Sequence, residues 1–203
     1  MARLLLVRHG DTALNSRERY WGQTDVALSE AGMAQAGRLA ERLAAEKINV
    51  AYASNLQRAS VTANIIAAKH GLDVVTCPEL RETNFGEIEG LTFDEVSARY
   101  PGLTQQWLNW SLKMRFPGGE SVDELKVRVC QFLERLEKHA PSDTVMVVAH
   151  SGVLRLLLTL LLGLELRHWR QFRLSLASLS IVETYPQGAI LMLFNDVCHL
   201  AGD

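Results

Sequence analysis

The sequence predicts an α/β protein of three layers, α/β/α, with a mostly parallel central sheet flanked by helices. Three observations predict it. Short apolar runs alternate with longer segments of helical periodicity, the pattern of strand–helix units. The first run, Arg3 to Val7, has adjacent leucines rather than alternation, as a strand covered on both faces requires. Helix-start signals follow several of the runs directly, which is the chain order of parallel strands joined by returning helices.

Taken in order, Arg3 to Val7 is the first strand, and a polar loop follows through Leu28. Ser29 starts a helix to about Glu46, with Met33, Ala36, Leu39, Ala40 and Leu43 at helical spacing. Asn49 to Ala53 is the second strand. Ser54 caps the next helix, because Ser54-Asn55-Leu56-Gln57 fits a capping box. Ala59, Thr62, Ala63, Ile66 and Ala67 give that helix its inner face, and His70-Gly71 ends it with glycine in the usual stop position. Asp73 to Cys77 is the third strand, and Pro78 opens a long loop. Thr92-Phe93-Asp94-Glu95 and Ser121-Val122-Asp123-Glu124 are two further capping boxes, starting a short helix to about Tyr100 and a long one to about His139. Thr144 to Ala149 is the fourth strand and Ser151 to Leu162 an apolar helix. Leu179 to Thr184 and Ala189 to Phe194 are tail strands, turned by Pro186-Gln187-Gly188. Residues 1–203 are expected to form a single domain. The segment from about 78 to 121, with Trp107, Trp110, Arg115 and Phe116, breaks the alternation and is expected as a lid-like insertion over the sheet edge.

Composition narrows the function classes. The chain has 203 residues, 48% apolar and 22% charged, enough for one substantial core. A formal net charge of −2 supplies no global field for nucleic acid, so a phosphate-bearing ligand needs a local positive pocket. Cys77, Cys130 and Cys198 are odd in number and far apart, which argues against a disulfide framework or a zinc site and suits a reducing, cytoplasmic compartment. The apolar run before Arg8 is too short for a signal-peptide core. In Val145 to Leu166, His150, Ser151, Gly152 and Arg155 interrupt any membrane span. The apolar tail offers a surface for a homodimer.

In open α/β sheets ligands bind beyond the carboxyl ends of the strands. The first strand delivers Arg8-His9-Gly10 there, the second Ser54, Asn55 and then Arg58, the fourth His150-Ser151-Gly152. Each alone has an ordinary structural explanation. Together they place two histidines and two arginines on one side. Arg58, in the first turn of a helix, opposes the helix dipole and suits a bound anion there. HExxH, GxGxxG and the P-loop are absent, and the remaining histidines are scattered, so no metal or cofactor is expected. Metal-free phosphoryl transfer needs this set: a neutral imidazole to attack phosphorus, guanidinium groups on the non-bridging oxygens, and a carboxylic acid to protonate the leaving oxygen. Glu82, Glu87 and Glu89 share the loop after the third strand. Glu82 is nearest the strand end, and the residues alone leave all three open.

Arg8-His9-Gly10-Asp11-Thr12-Ala13-Leu14-Asn15 resembles the RHGxTxxN signature of the histidine phosphatase superfamily, phosphoglycerate-mutase-like branch. The likeness continues through Trp21 to Ser29, Ala53 to Ala59, Leu80 to Gly90, Phe116 to Ser121 and Val148 to Val153, in order along nearly the whole chain. It implies the phosphoglycerate-mutase-like fold and a phosphohistidine intermediate. His9 would be the nucleophile, Arg8, Arg58 and His150 the rest of the phosphate pocket, and Glu82 the proton donor. Asn15 would add a phosphate hydrogen bond, with Gln23 and Thr24 approaching the substrate. Asp11 stands where Glu or Gln is commoner, and Ser151 where Gly is common, adding a hydroxyl near the phosphate. The Asn84–Glu95 and Phe116–Ser121 stretches look like those of α-ribazole phosphatases, which remove a phosphate in assembling the cobalamin nucleotide loop. The expected function is therefore a phosphomonoesterase on a small phosphate ester, α-ribazole 5′-phosphate first. A phosphoglycerate mutase, a phosphatase for phosphoserine or a sugar phosphate, and a non-catalytic phosphate-binding protein are the alternatives. Trp107, Trp110, Arg115 and Phe116 would roof the pocket, either stacking on a flat base or packing as an apolar lid.

Overall fold

The computed structural model describes residues 2–14 and 19–201. Strand β1 (Arg3–Arg8) leads into helix α1 (Glu30–Leu43), β2 (Val50–Ala53), α2 (Gln57–Ala68) and β3 (Val74–Thr76). Helices α3 (Phe93–Arg99) and α4 (Pro101–Leu108) follow. Then come α5 (Val122–Leu136), β4 (Thr144–Ala149), α6 (Ser151–Leu161), β5 (Leu179–Tyr185) and β6 (Gly188–Asp196). The six strands form one sheet in the order β3-β2-β4-β1-β5-β6. The β3, β2, β4 and β1 strands are parallel, whereas β5 runs antiparallel to β1, and β6 to β5.

The doubled leucines of β1 divide between two cores. Leu4 and Leu6, with Val145 and Val147, face α5 and α6, whose Leu125, Val129, Phe132, Leu154 and Leu157 close that side. Leu5 and Val7, with Met146 and Val148, face α1 and α2, where Leu39, Leu43, Ala63 and Ile66 pack. All of these residues are buried, and each large side chain contributes about 1.5–3 kcal/mol to burial. From the segment between β3 and α5, Leu80, Ile88, Val96, Leu103, Met114 and Phe116 join the α5–α6 core. Among the described residues no helix is long and apolar enough to cross a membrane.

Caps set the helix starts. The Ser29 hydroxyl accepts from Gly32 N on α1, and the capping boxes at Thr92 and Ser121 are both formed. The box expected at Ser54 is not. Helix α2 begins at Gln57 after Leu56, and the Ser54 hydroxyl accepts from Leu56 N instead. Asp25, from the loop before α1, takes the end of the helix: its Oδ1 accepts from Gln57 N at 2.7 Å. Helix α4 and a 3₁₀ segment, Leu166–Gln171, lie in stretches expected to be loop. Pro101 opens α4, where a missing N–H costs nothing.

The sheet aligns the strand ends. Arg8 pairs with Ala149, so His9 and His150 leave the sheet side by side. His9 N donates to Ala149 O at 3.1 Å, and Ser54 N to Val148 O at 3.0 Å. Behind the turn, Gly10 meets Gly32 of α1 backbone to backbone, and a Cβ on Gly10 would lie 2.6 Å from Gly32 O. Gly10 N donates to Thr62 Oγ1 at 3.2 Å, and Ala177 N to His9 O at 3.0 Å. The turn that carries His9 is thus held by α1, α2 and the segment before β5.

Candidate active site

His9 and His150 are buried, with ring centroids 5.0 Å apart. His9 Nδ1 lies 2.7 Å from Gly10 O. A carbonyl only accepts, so Nδ1 carries the hydrogen and Nε2 keeps its lone pair. At His150 the logic inverts. Arg58 Nε donates to His150 Nδ1 at 3.2 Å, so the hydrogen of the neutral ring is on Nε2. That Nε2 is buried and has no partner among the described residues. The site therefore contains one imidazole lone pair and one unmatched imidazole N–H. Burial pushes both pKa values well below the ordinary histidine range. Arg8 and Arg58 add to this at His9, and His9, Arg58 and Arg8 at His150.

Arg58 is anchored on three sides, donating to His150, to Thr24 O at 2.8 Å and to Gly22 O at 2.6 Å. It is almost fully buried, and burial lowers its pKa against the opposing pull of Glu82, Asp25 and Glu89. Arg8 donates to Leu174 O at 2.6 Å, while its Nε is buried and has no partner among the described residues. Burial brings its pKa down to about 10.

The three glutamates of the loop separate by geometry. Glu82 is buried, accepting from Thr83 N at 2.8 Å and, through both oxygens, from Gly152 N at 3.1 Å. Gly152 must be glycine for this approach: a Cβ would overlap Glu82 Oε1 and lie 2.7 Å from Thr83 Oγ1. Glu87 is exposed and takes the Tyr100 hydroxyl at 2.8 Å. Glu89 accepts from Gln23 N at 2.7 Å and from the Thr24 N and hydroxyl. Gln23 Nε2 donates to Glu82 O at 3.3 Å. Gln23 and Thr24 thus form a strap fastened to the Glu82–Glu89 loop, and their neighbourhood holds Arg58 through backbone carbonyls. Asn15 lies outside the described residues.

Arg8, His9, Arg58 and Glu82 line a cavity of about 170 Å3, with Thr12, Tyr20 and Trp21 at its sides. A second cavity of about 170 Å3 shares Glu82, Tyr20 and Phe85 with it and continues past Ser151 and Arg155 to Trp107, Phe116 and Arg170. Of the four expected roof residues, Trp107 and Phe116 belong here, their rings 5.4 Å apart. Trp110 is exposed beside Arg167 and His168, and Arg115 pairs on the surface with Glu124.

Sequence reasoning missed three arginines. Arg128 of α5 donates to Glu79 O, Arg81 O and Glu82 O and pairs with Glu120 at 2.7 Å, clamping the backbone that carries Glu82. Nothing in its spacing on a helix surface singles it out. Arg155 was legible as a lone charge in an apolar helix, one turn after Ser151. Arg170 stacks over Trp107, 4.7 Å from the ring centroid. Among the described residues, Asp196, Cys198 and His199 have potential ligand atoms within 4.8 Å of one another, and they line neither cavity.

Comparison with known proteins gives a consistent family. The model of the histidine phosphatase superfamily (branch 1) matches residues 4–197. The chain is 35% identical to phosphoserine phosphatase 1 of Hydrogenobacter thermophilus, over 98% of this chain and 95% of that one. It is 41% identical to phosphoglycerate mutase-like protein 4 of Arabidopsis thaliana, over 76% of this chain and 68% of that one. The structure of the α-ribazole phosphatase from Shigella flexneri superposes with a TM-score of 0.87 at 29% identity, covering 96% of each chain. On the strength of this full-length match, the chain belongs to the histidine phosphatase superfamily.

Proposed function

We propose that the protein is a metal-independent phosphomonoesterase that works through a phosphohistidine at His9. The observation that carries the reading is the opposite role of the two ring Nε2 atoms: the Gly10 contact leaves a lone pair on His9, and the buried N–H of His150 has no partner among the described residues. Two arginines flank them, and Glu82 is the acid at the cavity wall.

In the first step His9 Nε2 attacks phosphorus, forming the P–N bond as the P–O bond to the leaving group breaks. Glu82, in its acid form, gives its proton to the departing oxygen. Arg8, Arg58 and His150 Nε2–H donate to the non-bridging oxygens as charge shifts among them. In the second step water attacks phosphorus, Glu82 takes the water proton, and the P–N bond breaks to release phosphate. The neutral state of His9 keeps its lone pair available, and the lowered pKa supports that state. The free cysteines support a reducing compartment such as the cytoplasm.

The Asn84–Glu95 and Phe116–Ser121 motifs and the α-ribazole phosphatase neighbour support α-ribazole 5′-phosphate as a substrate. A second reading, a smaller acidic phosphate ester, is favoured by the arginines of the second cavity. Brief incubation with a labelled phosphate ester should leave acid-labile, base-stable label on His9. His9→Ala should cut turnover by about 10⁴-fold or more. Substantial turnover by that variant would overturn the mechanism. Interconversion of 3- and 2-phosphoglycerate with little phosphate release would make the protein a mutase, and binding without turnover a phosphate-binding protein.

A further inference from the structure

The second cavity contains more positive charge and more unmatched donors than a leaving-group pocket requires. Ser151 and Arg155 stand one turn apart on α6 and so share a face. The Ser151 hydroxyl and Arg155 Nε are both buried and have no hydrogen-bond partner among the described residues. Among the described residues the Arg155 guanidinium has neither hydrogen bond nor ion pair. Arg170 stands across the cavity, fixed over Trp107 and donating to Trp107 O. Burial lowers the pKa of both arginines, and Glu82 is the one acid that opposes this at Arg155. A buried donor without a partner costs about 1–3 kcal/mol, more when charged, so a site that keeps two of them is shaped for an acceptor that arrives with the ligand.

We infer that Ser151 and Arg155, backed by Arg170, form a second anion subsite that binds a carboxylate on the leaving group, so that the preferred substrates are small phosphorylated carboxylic acids. This rests on the phosphomonoesterase reading, because it takes the phosphate to lie at His9. The shared wall then fixes the direction of the substrate. Glu82 borders both cavities, so an ester whose bridging oxygen meets Glu82 places its phosphate at His9 and its leaving group toward Arg155. The volume agrees. About 170 Å3 is below the roughly 300–1,000 Å3 of pockets that enclose drug-sized ligands, and suits a leaving group of a few heavy atoms better than a nucleoside. A planar guanidinium beside a hydroxyl suits the two oxygens of a carboxylate.

The test uses matched pairs that differ by the carboxylate: phosphoserine against phosphoethanolamine, and 3-phosphoglycerate against glycerol 3-phosphate. Affinities are measured by titration calorimetry on the His9→Ala protein, so the result does not depend on turnover. The acid of each pair should bind at least about tenfold tighter. Arg155→Met on that background should bring each ratio to within about threefold of unity, and Arg155→Lys should keep part of it. Equal affinities within the pairs, ratios that survive Arg155→Met, or tighter binding of α-ribazole 5′-phosphate than of either acid would overturn the subsite. Hydrolysis of p-nitrophenyl phosphate by the unaltered protein reports separately on the phosphomonoesterase reading.

Discussion

Two of the molecule's depressions lie at opposite ends of its sheet, and they differ in kind. The larger, about 440 Å3, lies where β1 begins and the β5–β6 turn closes, between the carboxyl ends of α5 and α6. Its walls are largely Leu133, Leu136, Leu160 and Leu161 with the backbone of residues 184–189. The smaller, at the carboxyl ends of β1 and β4, has less than half that volume. Yet His9, Arg8 and Arg58 line it, His150 packs against His9 with its pKa likewise depressed, and among the described residues Arg8 Nε and His150 Nε2 are buried without partners. Volume and apolar walls mark where helices splay apart. Buried polar atoms left unmatched mark where the fold keeps polar groups it could have replaced with apolar ones.

Substitutions at the two ends should therefore differ by orders of magnitude. Arg58→Met removes the donor to His150 Nδ1 and a charge from the phosphate pocket, and kcat/KM should fall about 10³-fold. A fall of less than tenfold would break the contrast. Gly152→Ala pushes a Cβ into Glu82. Turnover of alkyl phosphates should drop about 10²-fold. Turnover of p-nitrophenyl phosphate should drop only a few-fold, since nitrophenolate leaves without a proton. Equal losses on both esters would remove Glu82 from the role of acid.

The pH dependence of stability gives the next smaller effect. His9 and His150 stay neutral in the folded protein below the pH at which the unfolded chain takes up protons on them. The unfolded state then binds more protons, so stability falls as pH drops below about 6.5. Each histidine should contribute a loss of up to about 1.4 kcal/mol per pH unit. Urea unfolding at pH 7.5, 6.5 and 5.5 measures it, and His9→Ala should make the slope shallower. A flat profile would refute the depressed values. At the other end, Tyr185→Ser in the apolar depression should change kcat/KM by less than about twofold and stability by about 0.5 kcal/mol or less, by kinetics and urea unfolding. A larger kinetic effect would mean that the two ends communicate.

The sequence revealed most where chemistry is local to a strand end. Arg8-His9-Gly10 and His150-Ser151-Gly152 are legible because the residues that matter sit next to the strands that place them. Both capping boxes at Thr92 and Ser121 are legible for the same reason. Ser54 misled, because the partner that caps α2 is Asp25, which the fold brings from a distant loop. Arg128 was hidden because its three carbonyl acceptors lie on a different segment. The residues alone left Glu82, Glu87 and Glu89 open, because what separates them in the fold is contact with Gly152, Tyr100 and the Gln23–Thr24 strap; the family resemblance picked Glu82. The antiparallel β5 and β6 were found as strands but not by direction, since alternation of elements stops before them and no helix returns the chain.

The backbone contact between Gly10 and Gly32 bears on any attempt to transplant this chemistry. No side chain stands between the turn that presents His9 and the first turn of α1, so the two peptide planes locate one another as a machined face locates a part. The eight-residue signature grafted onto another strand would lose that reference surface. A bulkier residue at position 32 would drive its Cβ into Asp11 O and shift the turn that carries the imidazole, with no change to the signature itself.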